Sequence, residues 1–304
     1  MKLAVEFPSV AYREGGESVS RLARAIEAIG FDQIDMFDHV VMGYPTADRE
    51  APRYPPQMPI LEALTTLAFI AAATKTIGLG TEVLVLPQRQ PVLVAKQVST
   101  LDTLAGGRMR LGVGVGWQQS EYDALEERFS NRGKRMDEAI ALLRAYWGEA
   151  RIDFRGRWYT STAMAMEPKP PQGAGLPIWI GGASAAALER VGRLGDGWLA
   201  TAFTRNERAA ASKEAIRAAA AAAGRDPGAI GFQTMFDVPP TDAAGKAFYA
   251  DRDRVAARAA QIVEQGFDWA AINATALFQS GARTVDAMID ALGDLHARIR
   301  AETG

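Results

Sequence analysis

Short apolar runs and amphipathic segments alternate along the chain. Lys2 to Phe7 and Gln33 to Phe37 are apolar enough for buried strands, and Ser18 to Ile29 between them carries apolar residues at helical spacing. The alternation continues to a last helix from Thr284 to Arg298. Counting the runs gives eight strands alternating with helices. This predicts an α/β fold, a single (β/α)8 TIM barrel formed by residues 1–304.

The remaining predicted strands are largely apolar, as expected for strands covered on both faces. They are Gly78 to Leu86, Met109 to Val115, Ile178 to Gly181, Asp196 to Ala200, Ile230 to Val238 and Trp269 to Ala274. The remaining predicted helices are Leu61 to Thr74, Val92 to Leu104, Gln118 to Glu127, Arg132 to Trp147, Ala185 to Leu194, Glu207 to Ala223 and Arg252 to Glu264. The sequence shows no domain boundary and no repeat beyond the alternation of strands and helices.

Two insertions interrupt the regular pattern, after strands two and four. Val40 to Pro59 holds five prolines and has no apolar period. An insertion of this length after a strand is more often functional than idle, and in a barrel it lies at the C-terminal face, where active sites sit. A plain surface loop is the alternative. In the second insertion, Ile152 to Thr160 alternates around Arg155-Gly156 and predicts a small hairpin.

The composition excludes several kinds of site. The chain has no cysteine, which excludes disulfides, thiolate metal sites and cysteine nucleophiles. His39 and His296 are the only histidines, so a three-histidine zinc site is impossible, and neither HExxH nor GxSxG occurs. The net charge is −2, no apolar run is long enough to span a bilayer, and no signal peptide is visible. We therefore expect a cytoplasmic protein that binds neither nucleic acid nor membrane.

Residues able to carry chemistry fall at the C-terminal ends of predicted strands, the face where barrel enzymes bind ligands. Asp38-His39 follows the second strand, and a histidine beside an acid can exchange a proton near neutral pH. A histidine hydrogen-bonded within a loop is the alternative. Glu82 lies inside a buried strand, where a carboxylate needs a partner, a bulge or a ligand. An ion pair with a local arginine or lysine is the alternative. This placement by itself favours an enzyme.

Two glycine-containing segments indicate close approach to the backbone. Gly112 to Gly116 ends a strand with alternate residues lacking side chains. It is a poor match for a dinucleotide-binding loop, because Trp117 follows and no GxxG leads into a helix. Gly181 to Ser184 opens a helix directly after a strand, where backbone N–H groups and the helix dipole favour an anion. A turn with Ser184 as helix N-cap is the alternative.

The segment LPQRQPVLVAKQVSTLDTLAGGRMRLGVGVGW, from Leu86 to Trp117, resembles the signature of the luciferase-like flavin and deazaflavin oxidoreductases. RGKRMDEAIALLRAYW is another similar stretch. Within that superfamily the chain is most similar to the small single-barrel enzymes that use coenzyme F420, a deazaflavin, and the resemblance extends from Met1 to about Ala274. It implies a luciferase-like barrel that transfers a hydride between reduced F420 and a small organic substrate.

The resemblance also implies roles for individual residues. His39 lines the substrate side as a proton relay, and Thr81 to Val83 forms a kinked strand, often with a non-proline cis peptide, behind the cofactor ring. His39, Glu82 and Trp117 are the catalytic candidates. The cofactor-binding candidates are Asp38, Thr81, Glu82, Val83, Gly114, Gly116, Trp117, Gly181, Gly182, Ala183, Ser184, Gly197 and Trp198. Arg89 could meet a phosphate or the anionic tail of the cofactor.

Trp117 departs from one subgroup, because the F420-dependent sugar-phosphate dehydrogenases place a glutamate acid there. This argues against that activity and favours a hydrophobic substrate pocket, with ordinary core as the alternative. There are three alternative functions: an FMN-dependent monooxygenase, a non-catalytic flavin-binding barrel and an unrelated phosphate-binding barrel. The expected partners are a small-molecule substrate, a separate flavin or F420 reductase and a second copy in a homodimer. No metal is expected.

Overall fold

The computed structural model describes residues 1–201, 206–236 and 248–304, the side chains of 206 and 207 excepted. Within these ranges the strands are β1 (Lys2–Glu6), β2 (Gln33–Met36), β3 (Gly78–Thr81), β4 (Leu84–Val85), β5 (Met109–Gly114), β6 (Ile152–Arg155), β7 (Thr160–Met164), β8 (Ile178–Gly181), β9 (Gly197–Ala200), β10 (Gly231–Met235) and β11 (Trp269–Asn273). Parallel pairs run from β1 through β2, β3, β5, β8, β9, β10 and β11 back to β1. The predicted (β/α)8 barrel is confirmed.

The described helices surround this barrel. They are α1 (Gly16–Ile29), α2 (Ala63–Ala73), α3 (Pro91–Leu104), α4 (Gln119–Ala124), α5 (Arg132–Gly148), α6 (Ala185–Leu194), α7 (Asn206–Ala222), α8 (Arg252–Glu264), α9 (Ala274–Gln279) and α10 (Val285–Thr303). In α1, the buried side chains of Val19, Leu22 and Ile26 share one face, and Gly30 ends the helix at a φ of 102°. The helix α1 thus buries an apolar stripe against the barrel.

The predicted third strand, Gly78 to Leu86, is divided into two. A cis peptide bond joins Glu82 to Val83 between β3 and β4. The pairing with β5 accordingly passes from Gly80 opposite Arg110 to Leu84 opposite Val113. β4 continues the third strand position rather than adding a new one.

Several strand boundaries differ from the predictions by one residue; β1, for example, ends at Glu6 rather than Phe7. The predicted end of the seventh barrel strand, Val238, lies outside the described residues. β11 ends at Asn273 rather than Ala274, because the Asn273 side chain accepts the Ala276 N–H (3.1 Å) and begins α9. The sequence did not predict this six-residue helix, because it follows the strand without a break in apolar character.

Both insertions lie where the sequence placed them. The hairpin β6–β7 belongs to the second insertion, but its turn lies at 156–159 rather than at Arg155-Gly156. The Glu138 carboxylate on α5 fixes this turn by accepting the backbone N–H groups of 157, 158 and 159 at 2.7–2.9 Å. No helix in the described ranges is both long enough and apolar enough to cross a membrane.

Candidate active site

Three aromatic side chains meet at the C-terminal mouth of the barrel. His39 follows β2, Trp117 follows β5, and Tyr54 comes from the long insertion. The ring centroids of His39 lie 5.4 Å from Trp117 and 5.8 Å from Tyr54, and those of Tyr54 and Trp117 are 6.3 Å apart, all edge to face. The Arg53 guanidinium lies 5.5 Å from the Trp117 ring. The insertion therefore brings an aromatic side chain to the mouth. We call His39, Tyr54 and Trp117 the aromatic cluster.

Burial also affects the hydroxyl of Tyr54. Burial raises the pKa of this phenol, and nearby Glu6 raises it further against the opposing charge of Arg53. Tyr54 is therefore a neutral hydroxyl at physiological pH. It can offer one hydrogen bond to a ligand in an otherwise aromatic wall.

His39 is paired with a buried carboxylate. His39 Nδ1 lies 3.1 Å from Glu121 Oε2, and the two side chains are 7% and 1% exposed. Gln88 Nε2 donates to the same oxygen at 3.0 Å. Glu121 Oε1 accepts the backbone N–H groups of Val40 at 2.6 Å and Val41 at 3.3 Å. One carboxylate thus holds the histidine and the start of the insertion together.

The donors around Glu121 determine its charge. Burial alone raises the pKa of this carboxyl, but hydrogen bonds from His39 and Gln88 and the His39 charge outweigh burial, so the pKa is lowered overall. Glu121 is therefore an ionised acceptor at neutral pH. Because a carboxylate only accepts, Nδ1 of His39 carries the hydrogen, which leaves Nε2 to exchange a proton.

The glycines at the end of β5 leave room for the protein's own side chains. A Cβ atom on Gly114 would lie 2.5 Å from Val83 Cγ2, and one on Gly181 would lie 2.8 Å from Val83 Cγ1. A Cβ atom on Gly116, which has a φ of 66°, would lie 2.7 Å from Val85 Cγ1. The close approach indicated by the sequence is therefore present, and Val83 and Val85 make it. Val83 itself is half-buried at the mouth.

Glu82, next to Val83, has a side-chain amide as its hydrogen-bond partner. Its Oε2 accepts from Gln233 Nε2 at 2.9 Å. The local arginine considered as a partner, Arg110, instead pairs with Asp35 at 2.8 Å. Burial, followed by the charges of Asp35 and Glu6, raises the pKa of Glu82 well above its ordinary value, although Arg110 and the Gln233 hydrogen bond oppose this.

Asp38 is engaged within the protein. Its Oδ1 accepts from Arg89 Nη2 at 2.6 Å and its Oδ2 accepts the Val85 N–H at 3.0 Å. The carboxyl side chain has no exposed surface. Arg89 also faces Glu62 at 3.4 Å. Asp38 therefore anchors β4 from beneath the mouth, and its carboxylate has no surface for direct contact with a ligand in this conformation.

The turn from Gly181 to Ser184 leads from β8 into α6. Ser184 is the N-cap, accepting the Ala187 N–H at 3.2 Å, and Gly182 has a φ of 125°. Ala183 and Ser184 are exposed. The predicted cap and the predicted anion site are compatible, because the first N–H groups of a helix have no partner within it.

Gly197 and Trp198 are placed beneath this turn. Trp198 has no exposed surface, and its indole N–H donates to the Gly182 carbonyl at 2.8 Å. Gly197 is buried against the Trp179 ring, which fills the space that a side chain would take. Both residues are therefore buried below the turn, and neither lies at its surface.

The arrangement fits a flat cofactor with a phosphate. The turn offers free helix N–H groups, the Ser184 hydroxyl and the positive end of a ten-residue helix. The half-buried Val83 offers an apolar surface between β5 and β8, with the polar Glu82 beside it. Thr81 holds the kinked strand from below by donating its hydroxyl to the Gly112 carbonyl at 2.6 Å. In the described ranges, no group of three histidine or acidic side chains could hold a metal ion.

In the sequence, Glu121, one helical turn after Trp117, is a possible acid or an ordinary solvated residue, and nothing there singles out Gln88, Tyr54 or Gln233. The available signal was weak. Gln33, Asp35, Arg110 and Gln233 are polar residues inside otherwise apolar strands, which indicates a polar barrel interior. Their pairing depends on strand register, which the sequence does not show.

Comparison with known proteins agrees with the fold. A family model described as luciferase-like monooxygenase matches residues 4–297. The F420-dependent hydroxymycolic acid dehydrogenase of Mycobacterium tuberculosis is 32% identical over 212 residues, which are 69% of this chain and 55% of that protein. The chain spans less than two thirds of the length of the curated relatives it matches first.

Two solved structures show the same barrel. An F420-dependent secondary alcohol dehydrogenase in complex with an F420–acetone adduct superposes with a TM-score of 0.77 at 17% identity, covering 98% of this chain and 99% of that one. Monooxygenase RslO1 from Streptomyces bottropensis superposes with a TM-score of 0.75 at 21% identity, covering 96% of this chain and 98% of that one. At these identities the likeness concerns the fold. With the family match over nearly the whole chain, the protein belongs to the luciferase-like monooxygenase family.

Proposed function

We propose that the protein is an oxidoreductase that transfers a hydride between reduced coenzyme F420, a deazaflavin, and a small organic substrate. The observation that carries this proposal is the buried His39–Glu121 pair at the barrel mouth, within the aromatic cluster. A hydride transfer requires a proton to move as well, and this pair can hold or release one. The names of the F420-dependent dehydrogenase relative and of the F420-dependent alcohol dehydrogenase structure support the cofactor.

The residues that would hold the cofactor are the turn Gly181 to Ser184 for its phosphate and the Glu82–Val83 segment for its ring. When bound, the reduced deazaflavin would supply a hydride from a carbon atom of its ring. Because that position is carbon, the reduced cofactor does not readily activate oxygen. Val83 offers an apolar contact, and Gly114 and Gly181 keep it in place. The chain thus supplies position and polarity to chemistry that belongs to the cofactor.

His39 and Glu121 manage the proton. In the reducing direction, His39 in its imidazolium form gives the Nε2 proton to the substrate heteroatom that gains an electron pair as hydride reaches the adjacent carbon. Glu121 keeps Nδ1–H in place, and its negative charge balances the imidazolium. Oxidation of an alcohol reverses the movement. Positioned acid–base groups of this kind contribute roughly 10²–10⁴-fold to a rate.

The aromatic cluster favours an apolar or aromatic substrate. Trp117 and Tyr54 present ring edges, and Tyr54 adds one neutral hydroxyl. A sugar phosphate would find Trp117 where the similar dehydrogenases place a glutamate acid. We therefore propose small carbonyl compounds, alcohols, enones or nitroaromatics as the substrate class.

A second candidate is an FMN-dependent monooxygenase that receives reduced flavin from a separate reductase. The likeness to monooxygenase RslO1 supports it, and the same phosphate turn and mouth would serve FMN. We also propose a homodimer in the cytoplasm, with the reductase as a transient partner.

A binding titration tests the cofactor. The purified protein is titrated with F420, FMN and reduced FMN separately, and fluorescence reports each Kd. Saturable binding of F420 in preference to both flavins supports the deazaflavin proposal. Preference for reduced FMN contradicts it and favours the monooxygenase, for which oxygen consumption is the next assay. Binding of none contradicts both.

The two histidines provide a matched pair of variants for the catalytic role. We expect His39→Ala to keep cofactor binding and to lose turnover by about 10²–10⁴-fold. His296→Ala, far from the mouth and packed on Phe31 at 4.9 Å, should keep both. Unchanged turnover in His39→Ala would show that His39 has no catalytic role, whereas cofactor binding without any turnover in the wild type would indicate a non-catalytic flavin-binding barrel.

A further inference from the structure

Polar side chains from three strands, β2, β5 and β10, form a connected group inside the barrel. Asp35 Oδ1 accepts from Gln33 Nε2 at 2.6 Å, and Asp35 Oδ2 accepts from Arg110 Nη2 at 2.8 Å and from Gln233 Nε2 at 3.1 Å. Gln33, Asp35, Arg110 and Gln233 are at most 6% exposed. Through Gln233 the group reaches Glu82 at the mouth. We call these five residues the interior network.

The backbone is shaped to admit this network. Gly80 on β3 has no side chain, and a Cβ atom there would overlap both Asp35 Oδ1 and Gln33 Nε2. A Cβ atom on Gly78 would lie 2.8 Å from Gln33 Oε1. The interior network is therefore part of the packing of the barrel.

Hydrogen-bonding rules fix the orientation of the Gln233 amide. Gln233 Oε1 lies 2.8 Å from Arg110 Nη2, and a guanidinium can only donate. Gln233 Nε2 must then point to the carboxylates of Asp35 and Glu82. Both amide hydrogens have an acceptor, so Gln233 holds the Glu82 carboxyl in one place.

The charges in the network do not balance around Glu82. The one cation, Arg110, is paired with Asp35 and lies between the rings of Trp179 and Trp269, at 4.4 and 4.8 Å. The groups facing Glu82 are Glu6 from β1, Asp35 from β2, Arg110 from β5 and Gln233 from β10. Two of these are carboxyls and one is a neutral amide, while the charge of Arg110 is already balanced by Asp35. Among the described residues, an ionised Glu82, half-buried at the mouth, would therefore add a negative charge that no ion pair balances, which is costly.

We propose that Glu82 is a neutral carboxylic acid at physiological pH, held at the barrel mouth by Gln233, because Asp35 rather than Glu82 forms the ion pair with Arg110. Gln233, Asp35 and Arg110 are its positioning residues. The O–H of a neutral Glu82 can donate a hydrogen bond to a ligand heteroatom at the mouth, while His39 stays the group that transfers the proton. This use of the O–H rests on the proposed function, whereas the protonation of Glu82 does not.

Infrared spectroscopy of the protein without cofactor tests the protonation directly. A protonated carboxyl has a C=O stretching band that a carboxylate lacks. We expect such a band at pH 7 in the wild type, lost in Glu82→Gln and kept in Glu17→Gln, which makes the same change on an exposed part of α1. Absence of a band that depends on Glu82 would overturn the proposal, whatever cofactor the protein binds.

Variants of the network test the cause. Asp35→Asn removes a negative charge and leaves Arg110 without its counter-charge, so Glu82 should ionise and its band should vanish at pH 7. If Asp35→Asn does not fold, Glu6→Gln, at the half-buried end of β1, should lower the pH at which the band disappears. Gln233→Met removes a hydrogen bond that favours the ionised form and should raise that pH. A band unchanged in the folded variants would contradict the assigned positioning roles.

Discussion

Glu121 satisfies several buried donors that lie far apart in the sequence. Its two oxygens accept from the His39 ring, the Gln88 amide and the backbone of Val40 and Val41. Only a carboxylate offers acceptors on both oxygens, so the residue type is determined by its surroundings. The charge that holds the His39 ring is the same charge that holds the first residues of the insertion.

Replacing this carboxylate by an amide should therefore affect both stability and turnover. In Glu121→Gln one oxygen becomes NH₂ and faces a buried donor, which we expect to lower the free energy of unfolding by about 1–3 kcal/mol. Turnover should fall by at least about tenfold and by no more than roughly 10⁴-fold, the upper end of what acid–base catalysis contributes, because the orientation of His39 is lost. Urea unfolding and steady-state kinetics measure the two effects. Glu126→Gln, exposed on the same segment, is the control, and equal behaviour of the two variants would show that Glu121 has no such role.

At the scale of elements, the divided third strand is held by packing from two neighbours. Val83 fills the space that Gly114 on β5 and Gly181 on β8 leave open, and Asp38 binds the β4 backbone from below. The branched valine side chain is short and stiff, so it cannot move aside for an added methyl group. The glycines and the valine therefore form a matched set.

A double-mutant cycle tests this match. We expect Gly114→Ala to destabilise the protein by about 1–3 kcal/mol through overpacking against Val83. Val83→Ala alone should cost about 1 kcal/mol for lost apolar burial. The double variant should cost less than the sum, by about 0.5–3 kcal/mol, because the clashing methyl is gone. Gly175→Ala, where no atom lies within 4 Å of the added Cβ, is the control. Simple additivity would show that the two positions do not interact.

The sequence predicted these elements better than their contacts. Buried parallel strands read as apolar runs, so the order of strands and helices and the placement of His39 at a strand end followed from the pattern. The partner of His39 lies 82 residues away and depends on the orientation of α4. The partner of Glu82 lies 151 residues away on β10. Contacts across a closed barrel depend on register, which a local pattern does not contain.

At the scale of the whole molecule, the two ends of the barrel have different tasks. The aromatic cluster and the turn from Gly181 to Ser184 lie at the C-terminal face, whereas loops that enter the strands lie at the opposite face. There, the Glu27 carboxylate at the end of α1 accepts the backbone N–H groups of Lys75, Thr76 and Ile77 at 2.6–2.9 Å, just before β3. This contact closes the loop between α2 and β3 without touching the mouth.

The Glu27 contact gives the molecule an acid-sensitive part of its stability. Although partial burial raises the pKa of Glu27, the three backbone hydrogen bonds and the Thr76 hydroxyl outweigh it and lower the pKa from 4.5 to about 2. Because the folded protein then binds fewer protons than the unfolded chain, the stabilisation is complete above pH 4.5 and is lost as the pH falls towards 2. After allowance for solvent screening, we expect Glu27→Gln to lower the free energy of unfolding at pH 7 by about 1–2 kcal/mol.

Urea unfolding between pH 7 and pH 3 measures this effect, and the cofactor titration shows whether it reaches the mouth. The difference between wild type and Glu27→Gln should shrink as the pH falls below 4.5, while cofactor affinity at pH 7 stays the same. Glu17→Gln, which removes an exposed ion pair with Arg24 from the same helix, should change stability by less than about 0.5 kcal/mol. A difference that does not change with pH would show that the Glu27 charge is not responsible. A weakened cofactor affinity would show that the two faces of the barrel are coupled, because the substituted side chain lies at the end opposite the ligand.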